Sequence, residues 1–152
     1  MFVCHGNICR SPMAEFVMKS LVENSSAANE IYIESSATSR EEIGNSIYPP
    51  AERTLSLHGI ACKGHHARQF TVEDYNKFDL VIVMEDYNKR NLTRLIGCDC
   101  KGKVWKLLDF VEENPTLGIG ADISDPWYHG NFDQTYNEIL SGCKALMQYL
   151  GY

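Results

Sequence analysis

Residues 80–84, Leu-Val-Ile-Val-Met, form an unbroken apolar run between Asp79 and Glu85. The run is too short for a helix, and a strand can be apolar throughout only when both of its faces are covered. Such strands belong to parallel sheets with helices packed on either side. The rest of the chain alternates to match. Phe2-Val3-Cys4 reads as the end of a short strand, Ile31 to Glu34 as a second, and Val104-Trp105-Lys106-Leu107 as a fourth. Between the first two, Ser11 is a candidate N-cap, Pro12 suits the first helical position, and Glu15 falls in the first turn. Met13, Phe16, Val17 and Leu21 recur at helical spacing, which predicts a helix over about 12–25. Pro49-Pro50 opens another helix that stops at Gly59, Thr71 to Asp74 resembles a capping box, and 86–96 is helical up to Gly97. Phe132, Tyr136, Ile139, Leu140, Cys143, Leu146, Met147 and Leu150 make one apolar stripe on the last helix. Residues 109–130, rich in Pro, Gly and Asp, read as a long loop, a kind of segment that is often functional.

This order predicts an α/β fold in one domain spanning 1–152: a four-stranded parallel sheet with right-handed crossovers and helices on both faces. Ligands of such sheets sit beyond the carboxyl ends of the strands, where the first strand-to-helix loop, Cys4 to Ser11, emerges. Composition narrows the function. A net charge of −6 argues against nucleic acid as partner, and no apolar run is long enough to cross a membrane. Met1-Phe2-Val3 runs straight into Cys4 without a basic start, so a cytoplasmic location is expected, with the six cysteines as reduced thiols.

The loop reads Cys4-His5-Gly6-Asn7-Ile8-Cys9-Arg10-Ser11-Pro12. A Cys and an Arg at this spacing mean little alone, since chance supplies such pairs in a chain of this composition. Position gives the pair weight, because a helix N-terminus following a strand offers free N–H groups to an anion. Gly6 and Asn7 tolerate positive φ, which would turn successive N–H groups inward as a nest. Arg10 offers a planar fork for two oxygens of a phosphate, and the same positive surroundings favour the thiolate form of Cys4. A thiolate beneath a bound phosphoryl group is placed for in-line attack.

This stretch resembles the low-molecular-weight protein tyrosine phosphatases. The resemblance extends through Ser35 to Ser39, His58-Gly59-Ile60, His65 to Gln69, Phe78-Asp79 and Asp125-Pro126-Trp127-Tyr128, and so covers most of the chain. It implies a doubly wound, flavodoxin-like sheet and hydrolysis through a cysteinyl-phosphate, with no metal or other cofactor. Cys4, Arg10 and Asp125 would be catalytic, and Cys4, His5, Gly6, Asn7, Ile8, Cys9 and Arg10 would hold phosphate. Ser11 and His65 would support the loop, and Cys9 would pair reversibly with an oxidised Cys4. A leaving phenolate is helped by a proton donor. Pro126 keeps Asp125 extended and unable to begin a helix, which suits it to that role. Ile8, Glu41, Glu42, Trp127 and Tyr128 would wall the substrate pocket. Many relatives carry an aromatic residue near Glu41, where this chain has Arg40-Glu41-Glu42, so an altered substrate preference is expected. Relatives also carry several residues before the match of Phe2, so the first strand is expected to be short and frayed or trimmed. The partners implied are phosphotyrosine proteins and inhibitory oxyanions such as phosphate or vanadate, met by a monomer.

Two other readings use the same loop. An arsenate reductase shares the cradle but needs a further cysteine just after the third strand, where this chain has Glu85-Asp86; Cys98 and Cys100 come too late. A non-catalytic phosphate-binding module would need neither a nucleophile nor an acid. His58, Cys62, His65 and His66 have ligand-like spacing for zinc but lack a Cys-x2-Cys frame. Gly97 to Lys103 mimics a nucleotide-binding loop, but Val104 stands where Ser or Thr should bind magnesium.

Overall fold

A computed structural model describes residues 1–111 and 120–152. Four strands, β1 (Phe2–Cys4), β2 (Ser35–Ala37), β3 (Val81–Val83) and β4 (Val104–Lys106), form one sheet in the order β2-β1-β3-β4, with every neighbouring pair parallel. Among the described residues six helices accompany them: α1 (Arg10–Glu23), α2 (Pro49–Leu57), α3 (Val72–Lys77), α4 (Asp86–Ile96), α5 (Pro126–His129) and α6 (Phe132–Tyr149). A 3-10 turn follows β4 at Leu107–Phe110.

Residue alternation along the strands divides the core in two. Phe2, Cys4, Ile82 and Met84 face one layer, packing with Met13 and Val17 of α1, Leu55 of α2, and Ile139 and Leu146 of α6. Val3, Val81, Val83 and Val104 face the other, with Phe70, Tyr75, Phe78 and Leu92. Both faces of β3 are therefore buried, as its apolar run requires. The chain leaves β1 for β2 on one side and returns to β3 on the other. The crevice at this switch lies beside the end of β1, and it is where ligands of such sheets bind.

Several boundaries differ from expectation. The second strand is Ser35–Ala37 rather than Ile31 to Glu34, because Ser35, Ser36 and Ala37 are the residues that register with Phe2, Val3 and Cys4. Short polar residues carry no strand signal, yet here they are buried and their hydroxyls are used. The first strand is not frayed: it is buried and paired on both sides. Ser11 does not cap α1. Cys9 takes that position with no side-chain capping bond, and Ser11 lies buried in the first turn. Pro126 does not prevent a helix either: Asp125, itself extended, caps the short α5 by accepting from Trp127 N–H at 3.1 Å. Residues 112–119 of the expected long loop lie outside the described residues, and the remainder includes the 3-10 turn and α5. Cys98 and Cys100 form a disulfide, contrary to the expectation of reduced thiols, because the turn after α4 brings their Cα atoms to 5.3 Å. Cys4, Cys9, Cys62 and Cys143 are free thiols. No helix among the described residues is long and apolar enough to cross a membrane.

The capping box at Thr71 forms as expected, and Asp74 closes it while pairing with Arg68 at 2.8 Å. Burial opposes ionisation of Asp74, but bonds from Arg68 and Thr71 outweigh it and hold the carboxyl below its ordinary value. Its contribution is therefore complete above the ordinary carboxylate range and is lost as pH falls through the lowered value. Asp74→Ala should cost about 1–2 kcal/mol at neutral pH. In urea titrations, the gap to the parent protein should close as acid protonates Asp74.

Candidate active site

Cys4 ends β1, and the turn that follows wraps around its sulfur. Asn7 N–H donates to Cys4 Sγ at 3.3 Å, and Ser11 Oγ lies 3.0 Å from the same atom. Asn7 has φ of 59°, a left-handed conformation that short polar residues tolerate better than most. Its side chain secures that geometry. Nδ2 donates to Ser11 Oγ at 2.9 Å and to Ser35 Oγ at 2.8 Å, while Oδ1 accepts from Arg68 N–H at 3.1 Å. His65 Nε2–H donates to the Asn7 carbonyl at 2.8 Å, which fixes the histidine's tautomer. Ser35 in turn donates to Glu15 at 2.5 Å. Gly6, expected to share the positive φ, does not. Its missing side chain instead makes room for Glu42, whose Cγ would lie 3.2 Å from an added Cβ.

Arg10 opens α1 and is buried. Nη2 donates to Asp125 at 2.6 Å and to Glu85 at 2.7 Å, and Nη1 donates to the Ile123 carbonyl at 3.3 Å. Burial disfavours its charge, but the negative charges of Cys4, Asp125 and Glu85 more than compensate and raise its pKa. Burial, then the charges of Cys4 and Asp125, push the Cys9 thiol up to about 12, so Cys9 is a neutral thiol.

These groups meet in a cavity of about 600 Å³ at the carboxyl ends of the strands. Cys4, His5, Gly6, Ile8, Cys9 and Arg10 line it from the loop, and Asp125 joins them from the far end of the chain. Trp127 and Tyr128 stand at its edge, 56% and 86% exposed, with Trp127 against Tyr48 at 5.2 Å between centroids. Glu41 and Glu42 also line the cavity. Asn7, Ser11 and His65 lie behind the loop rather than in the cavity. The zinc-like spacing does not gather its residues: His58 stacks on Tyr136 at 3.8 Å, whereas His65 serves the loop. Sequence reasoning missed Glu85, Tyr87, Ser35 and Glu15. Glu85 and Tyr87 follow β3, and the switch-point rule applied to that strand would have found them.

The sequence model described as low molecular weight phosphotyrosine protein phosphatase matches residues 1–152. A relative of that name from Gallus gallus is 39% identical, over 97% of this chain and 92% of its own length. The crystal structure of YfkJ from Bacillus subtilis superposes with a TM-score of 0.91 at 34% identity, covering 98% of this chain and 91% of that one. Wzb from Vibrio vulnificus, in complex with benzylphosphonate, gives 0.80 at 25% identity, covering 97% and 95%. The chain belongs to the low molecular weight phosphotyrosine protein phosphatase family.

The loop should depend on Asn7. Asn7→Ala removes its side-chain bonds and places alanine at positive φ, which should lower stability by about 2–4 kcal/mol in urea denaturation. Asn7→Gly accepts that φ and should recover about 1 kcal/mol of the loss.

Proposed function

We propose that the chain hydrolyses phosphotyrosine in proteins, and small aryl phosphates, through a cysteinyl-phosphate and without a metal. The observation that carries this reading is the meeting of Cys4, Arg10 and Asp125, from β1, α1 and the start of α5, in one cavity. Phosphate sits over Cys4 with its equatorial oxygens on the loop N–H groups of residues 5–10 and on the Arg10 guanidinium. Glu85 and Asp125 hold the plane of that guanidinium. The Cys4 thiolate attacks phosphorus as the bond to the aryl oxygen breaks, and Asp125 protonates the departing phenol. The Asp125 carboxylate then takes a proton from water, which attacks the phosphocysteine and releases phosphate. Ser11 supports the sulfur when it leaves as thiolate, and its 3.0 Å contact suits that task. Trp127, Tyr128 and Ile8 flank the aryl ring. Benzylphosphonate, held by the Vibrio vulnificus relative, has the same aryl-phosphoryl form. Phosphate and vanadate act as inhibitors in this reading, and the enzyme works as a cytoplasmic monomer.

Phenyl phosphate turnover with EDTA present tests it. The parent protein should retain full activity, and Cys4→Ser should have none while still binding vanadate. Asp125→Asn should lower kcat for phenyl phosphate by roughly 10²–10⁴, and by less for p-nitrophenyl phosphate, whose phenolate leaves more readily. Normal phenyl phosphate turnover by that variant would remove Asp125 as the acid.

Cys9 acts as the resolving thiol in this reading. Peroxide oxidises the Cys4 thiolate to sulfenic acid, and Cys9 condenses with it to a disulfide, releasing water. Activity lost to mild peroxide should return with dithiothreitol, whereas in Cys9→Ser the recovery should be largely lost as Cys4 oxidises further.

A further inference from the structure

The mouth of the cavity carries carboxylates that the chemistry at Cys4 does not use. Glu41 and Glu42 line it beside the phosphate-binding loop. Glu41 Oε2 lies 3.0 Å from His5 Nε2. The stem of Glu42 packs against Gly6, and its Oε2 accepts from Asn45 Nδ2 at 2.6 Å. The two charges are thereby oriented in advance, which removes part of the side-chain entropy cost of engaging a partner. Deeper in the cavity, Glu85 and Asp125 already share Arg10. Among the described residues Arg10 and His5 are the only basic side chains that line the cavity, so carboxylates predominate there. Arg40, next to Glu41, is exposed and does not line the cavity.

Tyr87 adds an aromatic surface at the same mouth. It lies in the first turn of α4, its ring 6.2 Å from that of His5. The Arg90 guanidinium sits 5.9 Å from the Tyr87 centroid and steadies the ring by a cation–π contact. A phosphotyrosine brings more negative charge into these surroundings, and a cation beside it in the substrate would offset the repulsion.

We infer that the mouth selects phosphotyrosine segments with arginine or lysine beside the phosphotyrosine, taken by Glu41 and Glu42 with Tyr87 alongside. The inference rests on the phosphatase reading of the cavity and names the class of substrate. Arginine suits the place better than lysine, because its planar fork pairs with carboxylates and stacks on rings. The chain's net charge of −6 acts in the same direction, drawing basic segments toward the protein.

Paired phosphotyrosine peptides, identical except for Arg or Glu at the flanking positions, test this through kcat/KM. The Arg peptide should be favoured by roughly 3- to 20-fold at low salt, the range for a few partly exposed ion pairs. The preference should shrink in about 0.5 M NaCl as the charges are screened. In Glu41→Gln/Glu42→Gln the ratio should fall to within about twofold. A parent ratio near one, a preference for the Glu peptide, or an unchanged ratio in the double variant would overturn the inference. If the variant does not fold, the parent ratio and its salt dependence decide. p-Nitrophenyl phosphate separates the two claims: no turnover by the parent removes the phosphatase reading, and turnover without charge preference removes only this one.

Discussion

The left-handed backbone of Asn7 is the constraint on which the site rests. One residue at φ of 59° lets the chain leave β1, circle the Cys4 sulfur and enter α1 within a few residues. Such a conformation is costly for an L-residue and persists only where its surroundings secure it. Here Ser11, Ser35, the Arg68 amide and His65 all bond to Asn7, from α1, β2 and the chain after α2. Three separated parts of the chain thus secure one residue, and their folding shapes the loop. Glu15, behind Ser35, extends the same network to the outer turn of α1.

Charge is arranged around that loop with similar economy. Arg10 is buried, which would be costly for an isolated cation, and carboxylates on two other elements compensate it. Glu85 comes from the end of β3 and Asp125 from the start of α5, so the guanidinium draws the sheet's carboxyl edge and a distant loop together. In the proposed reaction the same contact places the acid beside the phosphate-binding group. Cys9 is buried within the same loop and kept neutral by that burial and by the charges of Cys4 and Asp125.

Elements defined by local chemistry were legible in the sequence. The apolar run at 80–84 gives β3, the Thr71 box gives α3, and paired prolines and Gly97 give the start of α2 and the end of α4. Elements defined by partners were not. β2 is Ser-Ser-Ala, a strand only because β1 lies beside it, while the better-looking Ile31 to Glu34 lacks that register. Ser11 reads as a cap, but the cradle takes the helix start and turns its hydroxyl toward Cys4 instead. Glu85 and Tyr87 carry no motif of their own, and only their position after β3 brings them to the cavity.

The sequence by itself determined the alternation of strands and helices and the chemistry of the Cys4 to Arg10 loop, because burial period, capping and side-chain type act over a few residues. Tertiary structure alone decided which carboxylates face Arg10, what holds Asn7 in its conformation, and what stands at the cavity mouth. Those contacts join residues far apart in the chain, Arg10 with Asp125 and Asn7 with His65 among them. Such pairings have no local signature, since they depend on the order in which β1 and β3 lie side by side.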